Sequence, residues 1–75
     1  MNKLALKNAV LANCGKPGKR GKTSLSITYP VATAMGLSDS VVFSVLKELI
    51  AEGLVEIREV LTKSRGWRMF YRRAK

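Results

Sequence analysis

The spacing of apolar residues changes from a helical period to a strand period near Gly53, and this change constrains the fold more than any other feature. Before it, apolar residues recur at the i, i+4, i+7 and i+8 positions of one helix face, namely Val42, Leu46, Leu49 and Ile50. After it, two alternating segments at 54–61 and 67–72 flank a polar turn at 62–66. The pattern predicts a helix followed by an antiparallel hairpin.

The predicted helix before the hairpin has recognisable boundaries. Ser38 is a favourable N-cap residue, and the carboxylate of Asp39 is well placed at the positive end of the helix dipole. Because glycine readily adopts the backbone conformation that ends helices, Gly53 predicts a helix that runs to Glu52.

The N-terminal segment predicts another amphipathic helix. Asn2 can cap a helix that runs to about Asn13, and Gly15 can end it. The apolar side of this helix comprises Leu4, Leu6, Val10, Leu11 and Cys14. Lys3 and Lys7 are expected on its solvent side.

Residues 24–35 predict a short strand and a short helix. Residues 24–28 alternate between polar and apolar side chains, which favours a brief strand. A helix fits residues 29–35, with Thr28 as its cap and Pro30 in its first turn, where the missing N–H costs little.

The expected fold is therefore α+β: one domain spanning residues 1–75, with three helices, a short strand and a C-terminal two-stranded hairpin.

Composition limits the possible classes of protein. A chain of 75 residues, 47% of them hydrophobic, can build one small core, and its apolar stretches are too short for a membrane span. Cys14 is the only cysteine and there is no histidine, so no disulfide, cysteine/histidine zinc site or imidazole catalysis is expected, and Cys14 is expected to be a packed thiol. We expect no enzyme activity, no cofactor and, without a signal-peptide pattern, a cytoplasmic location.

The net charge of +9 is unevenly distributed. All five acids lie between positions 39 and 59, where only Lys47 and Arg58 offset them; they are Asp39, Glu48, Glu52, Glu56 and Glu59. Each flank carries six bases and no acid. This asymmetry favours a polyanionic partner, with nucleic acid ahead of an acidic membrane; the alternative is a hydrated basic surface that keeps the protein soluble.

The segments 34–38, 46–49 and 52–55 resemble winged helix-turn-helix regulators of transcription. In those families a short helix, a Gly-Leu-Ser turn and a recognition helix ending in Glu-Gly-Leu-Val lead into a β-wing. With the wing, the resemblance covers about residues 25 to 72, and it is closest to MarR-type reading heads and to small plasmid or fimbrial regulators of the PapI/FaeA kind. The third helix of this chain, at about 38–52, is poorer in bases than those of the family.

The resemblance implies a recognition helix in the major groove of DNA. Ser40, Phe43, Ser44 and Lys47 follow helical spacing opposite or beside the buried stripe and can contact base edges or phosphates. The predicted groove contacts are Ser38, Ser40, Phe43, Ser44 and Lys47. For Phe43 the alternative to a groove contact is packing against the first helix or the wing. For Ser40 and Ser44, the two inner serines, the alternative is an ordinary position on the solvated surface of the helix.

The wing, at about 54–72, and the loop 16–22 supply the predicted phosphate contacts. Two glycines and a proline favour a mobile loop, whose bases are Lys16, Lys19, Arg20 and Lys22. The wing bases are Lys63, Arg65, Arg68, Arg72 and Arg73, of which the first three are expected contacts. Trp67 and Tyr71 are expected to cover the core between wing and helices; the alternative is base stacking.

These features favour a sequence-specific regulator of transcription that binds double-stranded DNA, associated with the nucleoid. One alternative is a winged-helix protein–protein module with Val41, Phe43 and Val45 as its contact. Another is an architectural or RNA-binding protein with little sequence preference. We expect a monomer or weak homodimer, with no membrane and no small-molecule substrate among its partners.

Overall fold

The computed structural model describes residues 2–74. The elements in chain order are α1 (Lys3–Asn13), α2 (Ser24–Met35), α3 (Asp39–Ala51), β1 (Val55–Thr62) and β2 (Gly66–Arg73). The predicted α+β layout, three helices followed by an antiparallel two-stranded hairpin, is confirmed, and the arrangement is winged-helix-like. Lys75, one of the six bases of the C-terminal flank, lies outside the described residues.

Helix α1 begins and ends where the sequence predicts. The side-chain oxygen of Asn2 accepts hydrogen bonds from the backbone N–H groups of Leu4 at 2.9 Å and Ala5 at 3.3 Å. Leu6 and Val10, one turn apart, are fully buried. Leu4 was expected on the same side but is 66% exposed, because two residues along a helix rotate a side chain by about 200°.

Helix α2 is longer than predicted. It begins at Ser24, where the hydroxyl of Thr23 accepts from the N–H of Ser26 at 3.3 Å. The predictions of a strand at 24–28 and of Thr28 as a cap are therefore wrong. Residues 24–28 are helical because their apolar side chains belong to the buried face of a longer helix. The residues of α2 that reach the core recur at i, i+1, i+4 and i+5, and they are Ile27, Thr28, Val31 and Ala32.

The longer α2 also moves Pro30 from the predicted first turn to the interior of the helix. Proline lacks the N–H that would bond to the carbonyl of Ser26. Both residues are exposed, so water can satisfy that carbonyl.

Helix α3 packs against both other helices and against β1. It ends at Ala51 with Glu52 as its C-cap, and Gly53 follows with a positive φ of 79°. Ser38 occupies the N-cap position as predicted, but its side chain makes no capping hydrogen bond. The hydroxyl oxygen of Ser38 instead lies 3.2 Å from that of Ser40.

The core draws on all three helices and on the base of the hairpin. Its largest fully buried side chains are Leu6, Val10, Ile27, Val42, Leu46 and Leu49. Cys14 also packs here, as predicted, and burial raises the pKa of its thiol although Arg73 and Lys22 oppose that shift. None of the helices in residues 2–74 is long and apolar enough to cross a membrane.

The hairpin projects away from this core. Its strands pair continuously from Val55 opposite Arg73 to Thr62 opposite Gly66. Val55 and Tyr71 are the buried residues of the two strands. Seven residues of strand separate the base from the turn, a rise of about 23 Å, so the distal half extends beyond the helices.

Candidate nucleic-acid interface

The exposed face of α3 carries the predicted polar residues. Ser40, Ser44 and Lys47 are all exposed. The hydroxyl of Ser44 donates to the backbone carbonyl of Ser40 at 2.9 Å, and the hydroxyls of Ser38 and Ser40 are adjacent. Both inner serines keep lone pairs free to accept a hydrogen bond, so a ligand on this face would meet short polar side chains rather than apolar surface.

Phe43 is partly buried and packs against the core. The ammonium of Lys47 lies over the Phe43 ring, 5.1 Å from its centroid. The aromatic face and the charge therefore form one unit on the rim of α3, where its exposed and buried sides meet. Val45 is only 4% exposed, whereas Val41 is 39% exposed. The contact surface suggested for a protein–protein module, with Val41, Phe43 and Val45 together, is therefore wrong because Val45 lies in the core.

Three acids are neutralised by bases within the fold. Ion pairs join Lys3 to Glu48 at 2.8 Å, Lys7 to Glu52 at 2.6 Å and Arg72 to Glu56 at 2.8 Å. The first connects α1 with α3, and the second connects α1 with the C-cap of α3. The hydrogen bond from Lys3 lowers the pKa of Glu48, and the hydrogen bond to Glu52 raises the pKa of Lys7. The predicted solvent side of α1 is thus occupied by structural ion pairs.

The remaining bases of residues 2–74 form no ion pair with a side-chain carboxylate of that range. They are Lys16, Lys19, Arg20, Lys22, Lys47, Arg58, Lys63, Arg65, Arg68 and Arg73. Except for Lys47 they lie in the loop or the hairpin. Internal pairing therefore concentrates uncompensated positive charge on these two segments and on the rim of α3.

The loop 16–22, predicted to be mobile, is joined at both ends to the outer edge of β2. Lys22 and Tyr71 exchange backbone hydrogen bonds of 2.9 and 2.7 Å, and the Gly15 carbonyl accepts from the Arg73 N–H at 2.8 Å. A Cβ at Gly21, where φ is 97°, would lie 2.8 Å from the carbonyl oxygen of Tyr71. This close approach explains why glycine stands there.

One face of the hairpin gathers bases from both strands and the loop. Arg58 is opposite Phe70 and Val60 is opposite Arg68, so these four share a face. The guanidinium of Arg20 covers the Phe70 ring at 4.5 Å from its centroid. We call this surface the basic face: Arg20, Arg58 and Arg68 with the loop lysines.

Arg58 was missed as a candidate contact because it lies within the acidic segment of the sequence. Its place on the basic face depends on the register of the two strands. The polar turn at 62–66 and strict alternation along both strands are the signals that could have placed it there.

The opposite face of the hairpin is mostly apolar, with Glu59 and Arg73 as its charged residues. Tyr71 at the base is 6% exposed and covers the core as predicted, but Trp67 is 67% exposed and does not. Four residues separate them along β2, about 13 Å, which carries the indole beyond the helices. We call the exposed part the apolar face: Ile57, Leu61, Trp67 and Met69.

The turn between the strands presents two exposed bases, Lys63 and Arg65. The hydroxyl of Thr62 accepts from the Arg65 N–H at 3.2 Å and donates to the Gly66 carbonyl at 2.8 Å. Gly66 has a φ of 70°, which favours glycine. These bonds hold the turn in a defined shape, with both bases at the far end of the molecule.

No family model, curated protein or solved structure matches the chain. The functional argument therefore depends on the fold and on the distribution of charge.

Proposed function

We propose that the protein is a sequence-specific regulator of transcription that binds double-stranded DNA in the cytoplasm, in association with the nucleoid. In this proposal α3 enters the major groove, while the turn of the hairpin and the basic face contact phosphates. The observation that carries the proposal is the separation of charge. Ion pairs within the fold occupy Lys3, Lys7 and Arg72, and ten other bases remain on the loop, hairpin and α3 rim.

The proposed position of α3 is supported by its shape and by its exposed side chains. A single helix fits the major groove, which is about 12 Å wide. Ser40 and Ser44 can accept from or donate to base edges, and Lys47 can reach a phosphate or a guanine. Asp39 lies in the first turn of the helix, where its carboxylate would disfavour close phosphate contact. The bases of the hairpin and loop would therefore supply most of the affinity.

Salt dependence of duplex binding tests this proposal. Fluorescence anisotropy of a labelled duplex, measured over a range of salt concentrations, gives the number of phosphates that the protein neutralises. Replacing Lys63 and Arg65 with alanine should weaken binding to every duplex and reduce the log–log slope by about one unit per lost phosphate contact.

Lys3→Ala with Lys7→Ala is the matched control for that experiment, since it removes the same charge from bases that are held in ion pairs. The control should reduce stability and leave the salt slope near that of the unaltered protein. Equal slopes for the two double variants would contradict a role for the turn. No binding to any duplex at low salt would overturn the proposal as a whole.

A second candidate is an architectural duplex-binding protein with little sequence preference. It is favoured by a specific feature of α3, whose exposed face carries only one base, Lys47, among residues 39–51. Competition between duplexes selected for binding and random duplexes distinguishes the two functions. A regulator should prefer the selected duplex strongly, whereas an architectural protein should bind both alike.

A further inference from the structure

The distal half of the hairpin exposes an apolar pair that no other part of the described chain covers. Leu61 and Trp67 are direct partners across the two strands and are 64% and 67% exposed. Side chains opposed in this way lie on one face with Cβ atoms about 5 Å apart, so the two form a continuous surface. Met69, the next residue on the same face of β2, is also exposed. Apolar clusters of this kind usually mark a contact with a partner.

The charge around this pair specifies the chemistry of the partner. Lys63 and Arg65 lie in the turn just beyond the pair, and Arg58 and Arg68 occupy the other face of the same strands. The partner must therefore present negative charge on more than one side of the hairpin and an apolar or aromatic centre to the pair. A minor groove between two phosphate backbones has this form. An anionic membrane, being flat, would meet one side only.

We propose that Leu61 and Trp67 form an apolar wedge that enters the minor groove of duplex DNA and inserts at a base step, so that binding bends the duplex. This inference depends on the duplex binding proposed above. Apolar side chains that enter a base step unstack it and kink the duplex away from the minor groove. The hairpin rises about 23 Å from base to turn, which exceeds the half-turn of about 17 Å that separates successive grooves on one side of the duplex.

The acid nearest the wedge limits how far the hairpin enters the groove. Glu59 lies on the apolar face, opposite Met69 and two residue pairs closer to the base than Leu61 and Trp67. Its carboxylate would be repelled by the phosphates that line the groove. The contact is therefore confined to the last apolar pair before the turn, with Lys63 and Arg65 on the flanking phosphates.

The fluorescence of Trp67 tests the wedge directly, because it is the only tryptophan in the chain. Labelled duplex is titrated with protein, and the anisotropy of the label and the emission of Trp67 are recorded together. We expect the anisotropy to rise while stacking on bases quenches the indole. A rise in anisotropy with unchanged Trp67 emission would overturn the wedge and leave duplex binding standing. No rise at low salt would overturn duplex binding itself.

Titrations with two further ligands distinguish the wedge from two other partners that the same surface could bind, single-stranded DNA and an anionic membrane. Stronger quenching by single-stranded DNA than by the duplex would replace the wedge with stacking on unpaired bases. A shift of Trp67 emission to shorter wavelength with vesicles of phosphatidylglycerol, and no change in emission with the duplex, would assign the surface to an anionic membrane. Either result would overturn the wedge.

Bending is measured by energy transfer between dyes at the two ends of a duplex. Binding of the unaltered protein should raise the transfer efficiency. Leu61→Ala with Trp67→Ala should abolish that rise and keep the salt slope, because every base remains. Leu25→Ala, a 63% exposed leucine on α2, is the matched control and should keep the bend. Thermal unfolding verifies that each variant is folded, and a bend that persists in the folded double variant would overturn the wedge.

Discussion

The guanidinium of Arg20 lies 4.5 Å from the centroid of the Phe70 ring and so joins the N-terminal loop to the last strand. A second link is the hydrogen bond of 2.8 Å from the Arg72 guanidinium to the Lys19 carbonyl. These contacts order the loop before any ligand binds. Loops that are ordered in advance lose less conformational entropy on binding. The basic face thus presents its charges in a fixed arrangement.

We expect Phe70→Leu to release Arg20 and loosen the loop. The substitution keeps apolar volume but removes the aromatic face, which at an exposed site contributes about 0.5–1 kcal/mol to a cation contact. Amide hydrogen exchange in residues 16–22 should become faster. In a double-mutant cycle with Arg20→Gln, the two changes should be less than additive in the free energy of unfolding. Strict additivity would show that the contact contributes nothing.

Gly21→Ala should be markedly more destabilising than Gly18→Ala. Both glycines have positive φ, 97° and 78°, so both substitutions carry the backbone strain of about 1–2 kcal/mol. Only at Gly21 would the new Cβ meet backbone, 2.8 Å from the Tyr71 carbonyl oxygen; at Gly18 it meets open space. Urea unfolding of the two variants compares them directly. Equal losses of stability would contradict the anchoring of the loop on β2.

The sequence predicts the elements whose apolar pattern is long. Helix α3 and the hairpin appear at nearly their observed boundaries because their patterns extend over several turns or residue pairs. The predicted start of α2, at residue 29, is wrong because an alternating pattern of only five residues, at 24–28, cannot be distinguished from one turn of helix. Thr23, its true cap, immediately precedes them.

The candidate site is less predictable than the fold, for physical reasons that differ by residue. Trp67 and Tyr71 were both expected to cover the core, but the length of the hairpin decides that only Tyr71 reaches it. The anchoring of the loop depends on backbone hydrogen bonds of Gly15 and Lys22, which leave no pattern of side chains in the sequence. Arg58 joins the site only through strand register.

Glu48→Gln should lose its effect on stability as the pH falls. Its hydrogen bond from Lys3 lowers the pKa of Glu48 below the ordinary value of 4.5. The pair therefore stabilises the folded protein above about that pH, and the stabilisation disappears as the pH falls through the lower folded pKa. The unaltered protein should exceed the variant in melting temperature at pH 7, and the two should converge in acid.

Glu59→Gln is the matched control for that measurement, because Glu59 forms no ion pair within residues 2–74. It removes the same charge from an exposed position, so its melting temperature at pH 7 should differ less from that of the unaltered protein. A difference for Glu48→Gln that persists unchanged into acid would show that the ion pair is not its cause.

The exposed serines of α3 test the proposed recognition of DNA sequence. Ser40→Ala with Ser44→Ala removes two hydroxyls from solvent and should change stability by no more than about 0.5 kcal/mol. If they contact base edges, affinity for a selected duplex should fall by about 1–3 kcal/mol while affinity for random duplexes stays nearly constant. Anisotropy titrations with both duplexes measure the difference.

Two other substitutions on α3 separate loss of recognition from loss of the fold. Leu46→Ala opens a cavity at a fully buried position and should cost about 2–5 kcal/mol of stability, which weakens binding to selected and random duplexes together. Phe43→Ala removes a partly buried ring and the cation contact of Lys47, so it should destabilise the protein less than Leu46→Ala. If the folded serine double variant binds selected and random duplexes as the unaltered protein does, this face of α3 does not recognise sequence. The major-groove position proposed for α3 is then wrong, because two of the three side chains proposed to contact bases there, Ser40 and Ser44, would contribute nothing.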